Sequence, residues 1–110
     1  ANHANEIDET VAAACAELSR AGVTLLNQSV LLRRVNDSIE ALVELSERLL
    51  ACSILPYYLH QLDRVAGTAH FEVADAQAIQ LVEQMRGLLP GYLVPRLVRE
   101  TAGAASKQPV

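Results

Sequence analysis

Residues 37–63 read DSIEALVELSERLLACSILPYYLHQLD, and two periodicities meet in them. Ile39, Leu42, Val43, Leu49 and Leu50 recur at helical spacing, and Asp37 with Glu40 three residues on has the form of a capping box. Ile54 to Leu59 then forms a short apolar run, closed by His60-Gln61-Leu62-Asp63. A helix followed directly by a strand is half of an α/β repeat. Pro56 weakens the strand reading, because a proline within a sheet withdraws a ladder donor.

The same unit recurs on either side. Upstream, Val11, Ala14, Cys15, Leu18 and Ala21 line one face of a helix expected over Asp8–Ala21, and Gly22 stops it. A strand is expected over Val23–Leu26, ending at polar Asn27-Gln28. Downstream, a loop with Gly67 leads to a helix over Ala74–Leu88 with Ala78, Ile79, Val82 and Met85 inward, stopped by Pro90-Gly91. Tyr92 to Val98 is the third strand expected, and Glu100 to Val110 is a small, polar tail. The order α-β-α-β-α-β predicts an α/β fold with parallel strands covered by helices. Three strands do not close a barrel, so the sheet is either small and open or a slice of a larger barrel. A start at Ala-Asn-His, with neither Met nor a signal segment, favours the slice: one partial domain over 1–110, with 101–110 a flexible tail.

Composition narrows the function classes. The 110 residues hold 9 Lys+Arg against 13 Asp+Glu, a formal charge of −4, which argues against a nucleic-acid or anionic-membrane surface. With 51% hydrophobic and 20% charged residues the chain has the makings of a packed core. The apolar run Leu49–Leu59 is far short of the roughly 20 residues of a membrane span. Cys15 and Cys52 form neither a disulfide framework nor a metal pair, so a reducing cytoplasm is expected.

In parallel α/β sheets, ligand chemistry gathers where strands end. Here Asn27 and Gln28 are expected to end the first strand, His60, Gln61 and Asp63 the second, and Arg99, Glu100 and then Lys107 to follow the third. Lys107 is the only lysine, so any Schiff-base chemistry in this chain has one candidate. Each residue also has a plainer reading. Asp63 suits a turn, His60 a half-buried histidine, Glu100 and Lys107 a solvated surface, and His3 and His70 loops. No metal motif and no Gly-rich phosphate loop is present.

Several blocks resemble the lysine 2,3-aminomutase family: Asn2-His3-Ala4-Asn5-Glu6, Asn27 to Leu32 with Val35-Asn36-Asp37, Pro56-Tyr57-Tyr58 leading to Asp63, His70-Phe71, Pro90-Gly91-Tyr92 with Val94-Pro95, and Ser106-Lys107. Their spacing agrees along essentially the whole chain. The resemblance implies the C-terminal slice of a partial (β/α) radical-S-adenosylmethionine barrel. It implies pyridoxal 5′-phosphate, S-adenosylmethionine and a 4Fe–4S cluster as cofactors, with the cluster ligands outside this chain. It implies that Lys107 is the Schiff-base lysine for pyridoxal phosphate, that Asp63 and Glu100 bind the side-chain ammonium of a lysine substrate, and that Gln28 and His60 line the cofactor pocket. Glu100 is one methylene longer than the aspartate usual there, and Arg34 stands where the family commonly has glycine, which strains the chain if that position needs a positive φ.

The ending Ser106-Lys107-Gln108-Pro109 resembles the branch that makes (R)-β-lysine for elongation factor P. The expected partners are lysine and the N-terminal part of the same barrel, with a homo-oligomer left open. Two other readings also stay open: an aminomutase for another amino acid, of which a cationic one suits two acids best, and an inactive truncated α/β module.

Overall fold

The computed structural model describes residues 1–62, 72–99 and 108–110. Helix α1 (Glu9–Arg20) starts where the Asp8 carboxylate accepts the Val11 N–H at 2.9 Å. It ends in a Schellman motif: Val23 N–H bonds Leu18 C=O at 3.0 Å, Gly22 N–H bonds Ser19 C=O at 3.0 Å, and Gly22 has φ +85°. Helix α2 (Ile39–Ala51) is capped by Ser38, whose Oγ accepts from Ala41 N–H at 3.2 Å. The expected cap, Asp37, instead accepts the Arg34 N–H at 2.9 Å and closes the preceding turn. Helix α3 (Asp75–Leu88) has no side-chain cap at Ala74.

The strands form one sheet in the order β1 (Leu25–Leu31), β2 (Ile54–Gln61), β3 (Arg96–Arg99) and β4 (Gln108–Pro109). The first three run parallel and β4 is antiparallel. The fold is therefore α/β with a mostly parallel sheet, as the periodicity predicts. Three boundaries differ. Strand β1 continues to Leu31, so Asn27 and Gln28 lie mid-strand rather than at its end. Gly91–Leu93 is a turn of 3-10 helix, and β3 starts only after Pro95, where a missing N–H removes no ladder bond. The last residues, read as tail, supply β4, with Arg99 opposite Gln108 and Val110 N–H bonding Leu97 C=O at 3.3 Å.

Between β1 and β2 the register shifts: Asn27 pairs with Pro56, but Gln28 pairs with Tyr58. Tyr57 is thus the extra residue of a β-bulge, and this accommodates Pro56 in an inner strand. The Tyr57 and Tyr58 rings lie 4.3 Å apart.

The helices pack on one face of the sheet. Leu31 and Leu59 from the strands meet Leu42 of α2 and Ala78, Leu81, Val82 and Met85 of α3. A second cluster joins Ile54 and Leu25 to Leu45, Leu49 and Cys52, with Ile7, Ala12 and Cys15 against it. Two expected inward faces are rotated. Leu81 takes the place of Ile79, which is exposed, and Leu45 and Ser46 face inward while Leu50 is exposed. In α1, Val11 and Leu18 are exposed, and the helix touches the core through Ala12 and Cys15.

Asn36 ties the start of the chain to the end of β1. Its Nδ2 donates to Asn2 C=O at 2.8 Å and Val30 C=O at 2.9 Å, and its Oδ1 accepts Leu32 N–H at 2.8 Å. Asn2 Oδ1 in turn accepts the Val30 N–H at 2.9 Å, so a side chain serves a backbone donor of this strand. Buried Asn27 and Ser29 are satisfied by each other at 2.8 Å and by Ala1 C=O at 3.1 and 2.6 Å. His3, expected as a loop residue, caps the short helix Ala4–Glu6: its Nδ1 accepts Asn5 N–H at 3.1 Å. Arg34 has φ 67° and Ser53 φ 60°, so both lie in the left-handed region, where a side chain is strained.

Candidate functional site

Opposite the helices, the sheet presents Leu26, Gln28 and Val30 of β1 beside Leu55, Tyr58 and His60 of β2, with Arg96 of β3. Register brings two of the expected site residues together there. His60 Nε2 and Gln28 Oε1 are 2.9 Å apart. An amide oxygen only accepts, so His60 carries its proton on Nε2 and donates, which turns the Gln28 NH₂ away from the imidazole. The Tyr58 ring stands 5.9 Å from that of His60 at 59°. The three side chains form a hydrogen-bonding patch on a face that also carries Leu26, Val30, Leu55 and Arg96. Tyr58 carried no such role in the sequence, where it read as a strand-forming aromatic.

A second polar group lies where β2 and β3 end, on the helix side. Gln61, 3% exposed, donates through Nε2 to Val73 C=O and to Asp75 Oδ1, the latter at 2.9 Å. Arg99 Nη2 pairs with the same carboxylate oxygen. Gln61 Oε1 and Arg99 Nε are buried without a partner among the described residues, and each such group costs about 1–3 kcal/mol. Gln61 and Arg99 were expected at this rim. Asp75 was not, because the sequence marks it only as a residue in the first turn of the helix expected over Ala74–Leu88.

Asp63, Glu100, Lys107 and His70 lie outside the described residues. The described residues next to Asp63, Glu100 and Lys107 are Leu62, Arg99 and Gln108, and Arg99 and Gln108 are paired across β3 and β4. Among the described residues no group of three or more His, Cys, Asp or Glu could hold a metal ion, and no helix is long and apolar enough to cross a membrane.

A scan against protein-family models finds no match. Individual proteins do match. The chain is 55% identical over 109 residues to L-lysine 2,3-aminomutase of Escherichia coli (strain K12), covering 99% of this chain and 32% of that protein. The similarity is to about a third of that protein's length. The enzyme so named in Haemophilus influenzae is 51% identical over 106 residues, covering 96% of this chain and 31% of its own length. That of Clostridium subterminale is 43% identical over 109 residues, 99% of this chain and 26% of its own length. The lysine 2,3-aminomutase resemblance read from the blocks is therefore found across nearly the whole chain, which spans between a quarter and a third of these curated relatives.

Proposed function

We propose that the chain is the C-terminal part of the barrel of an L-lysine 2,3-aminomutase, an isomerase that moves the amino group of lysine from C2 to C3. The match at 55% identity over 99% of the chain carries this reading. The fold supports it: the parallel strands follow in sequential order with the helices on one face, which is how a (β/α) barrel winds, whereas a doubly wound sheet places helices on both faces. The free face then looks into the barrel.

The residues present fit a polar heterocyclic cofactor. The Gln28–His60 pair offers a fixed amide and imidazole on the free face, and Lys107 is the only lysine. They do not fit the 4Fe–4S cluster, whose ligands we assign to the rest of the protein. When bound, pyridoxal phosphate supplies the carbonyl that takes up the migrating nitrogen, and S-adenosylmethionine with the cluster supplies the hydrogen-abstracting radical. This chain's share is to hold and orient. Lys107 anchors the cofactor through its amine. Asp63 and Glu100 take the far ammonium of lysine with charge-assisted bonds, which fixes a long, flexible substrate where a small misplacement costs much of the rate. His60 keeps the Gln28 amide oriented. Asp63 comes two residues after Gln61, Glu100 directly after Arg99 and Lys107 directly before Gln108, and β3 lies between β2 and β4 in the sheet.

The product we assign is (R)-β-lysine for elongation factor P, made in the cytoplasm. The test uses the whole protein that carries this chain, produced without oxygen and given lysine, S-adenosylmethionine and reductant. Chromatography with mass detection should show β-lysine in preference to products from arginine or glutamate. Lys107→Ala should abolish both the product and the visible absorbance of the bound cofactor. Absence of any β-amino acid, or absorbance that survives Lys107→Ala, overturns the assignment.

A further inference from the structure

We infer that the side of α3 carrying Ile79, Glu83 and Arg86 docks a second copy of this chain about a two-fold axis. The inference rests on the function proposed above only for where the rest of the barrel lies. Ile79, Glu83 and Arg86 recur at i, i+4 and i+7, so they share one stripe of the helix, and all three are exposed. The stripe borders a groove of about 520 Å³ between α3 and the edge of the sheet, walled by Val82, Val94, Pro95 and Pro109. Tyr92, 61% exposed, stands just beyond the end of α3. The two ends of the sheet differ. At β1, the exposed Val11 and Leu18 of α1 lie on the side from which the barrel continues. At the other end antiparallel β4 interrupts the parallel repeat, so a helix continuing that repeat is not what the groove beside α3 awaits.

Charge selects the occupant. The chain carries −4, so most faces of two copies repel each other. The exposed charges of α2, for example, are Glu40, Glu44 and Glu47 against Arg48. On the α3 stripe they cancel, because Glu83 pairs with Arg86 three residues on. Two such helices crossing antiparallel, with the axis between Gln84 and Met85, bring Glu83 of each copy against Arg86 of the other. Four charges then alternate in a ring and no acid faces its like. The same axis sets Tyr92 of each copy near Ile79 of the other, where the groove receives the ring, and aromatic anchors seated in this way carry much of an interface's strength. Gly87 has nothing within 4 Å of where its Cβ would stand, which lets a second helix come close.

The experiment is sedimentation velocity on the whole protein from about 1 to about 100 μM, the range in which a small, partly polar interface associates. The wild type should reach the dimer within it. Glu83→Arg and Arg86→Glu should each raise the dissociation constant about tenfold or more, because each sets like charges together. An equimolar mixture of the two variants should dimerise again, since one then presents only arginine at these positions and the other only glutamate; a misfolded variant gives no such rescue. Tyr92→Ala should weaken the dimer by a similar factor. A wild type that stays monomeric, a dimer that survives both charge reversals, a mixture that fails to dimerise or an unaffected Tyr92→Ala overturns the docking. β-Lysine made by a wholly monomeric protein overturns it too and leaves the proposed function standing.

Discussion

Replacing Asn36 with alanine should cost the fold about 3 kcal/mol. Asn36 is 1% exposed and its side chain serves three backbone groups: the carbonyls of Asn2 and Val30 and the N–H of Leu32. Each bond is worth about 1 kcal/mol net, and the buried partners left behind find no replacement. Urea denaturation of the whole protein, followed by circular dichroism, should show the midpoint of the transition that includes this sheet falling by about 1–2 M at an unchanged slope. Asn36→Asp is the sharper variant. It keeps the size and the bond to Leu32 but sets a carboxylate against two carbonyl oxygens, so above pH 5 it should be at least as damaging as alanine. A midpoint shift under about 0.3 M for Asn36→Ala, or an aspartate tolerated better than alanine, would refute the reasoning.

Arg34→Gly should raise stability by about 0.5–1 kcal/mol, because relief of a left-handed residue, about 1–2 kcal/mol, exceeds the added freedom of the unfolded chain. The Arg34 N–H bond to Asp37 survives the change, and a lower urea midpoint for the glycine variant contradicts the account. Glu6 concerns pH. Burial raises its carboxyl pKa, but hydrogen bonds from the Asn2 and His3 N–H groups, aided by nearby positive charge, outweigh this and hold it below the ordinary 4.5. Its contribution is therefore complete above the unfolded value and is lost as pH falls through the folded one. Glu6→Gln should flatten the acid limb of stability below about pH 4.5, and superimposable limbs for the two proteins would remove Glu6 from the explanation.

Much of the fold was legible because helix periodicity and stop signals are local. Gly22 ends α1 by a Schellman motif, and the extents of α2 and α3 follow their apolar spacing to within about two residues. What was not legible depends on distant chain. Asn27 and Gln28 read as the end of a strand because they are polar, yet β1 runs on through both, and Asn27 is buried within it, where the first residue of the chain satisfies it. Ser38 and Asp37 are both good caps, and only the turn at Arg34 decides between them. A two-residue strand such as β4 has too little pattern to be seen. At the site, strand position brought Gln28 and His60 into one neighbourhood, whereas Asp75 joins Gln61 and Arg99 only through the packing of α3 across the sheet.

Tyr57 also decides which way the rest of its strand points. Ahead of it, Ile54 and Pro56 share a side with Leu25 and Asn27; beyond it, Leu59 and Gln61 do. The alternation changes from even to odd numbers at that one inserted residue. In an unbroken strand Tyr58 and His60 would be turned among the leucines, while Leu59 and Gln61 would look the other way, leaving Gln28 without its imidazole and Asp75 without its amide. A single surplus tyrosine is thus a parity switch: it lets eight residues build a greasy floor at one end and still deliver a histidine to the opposite side at the other.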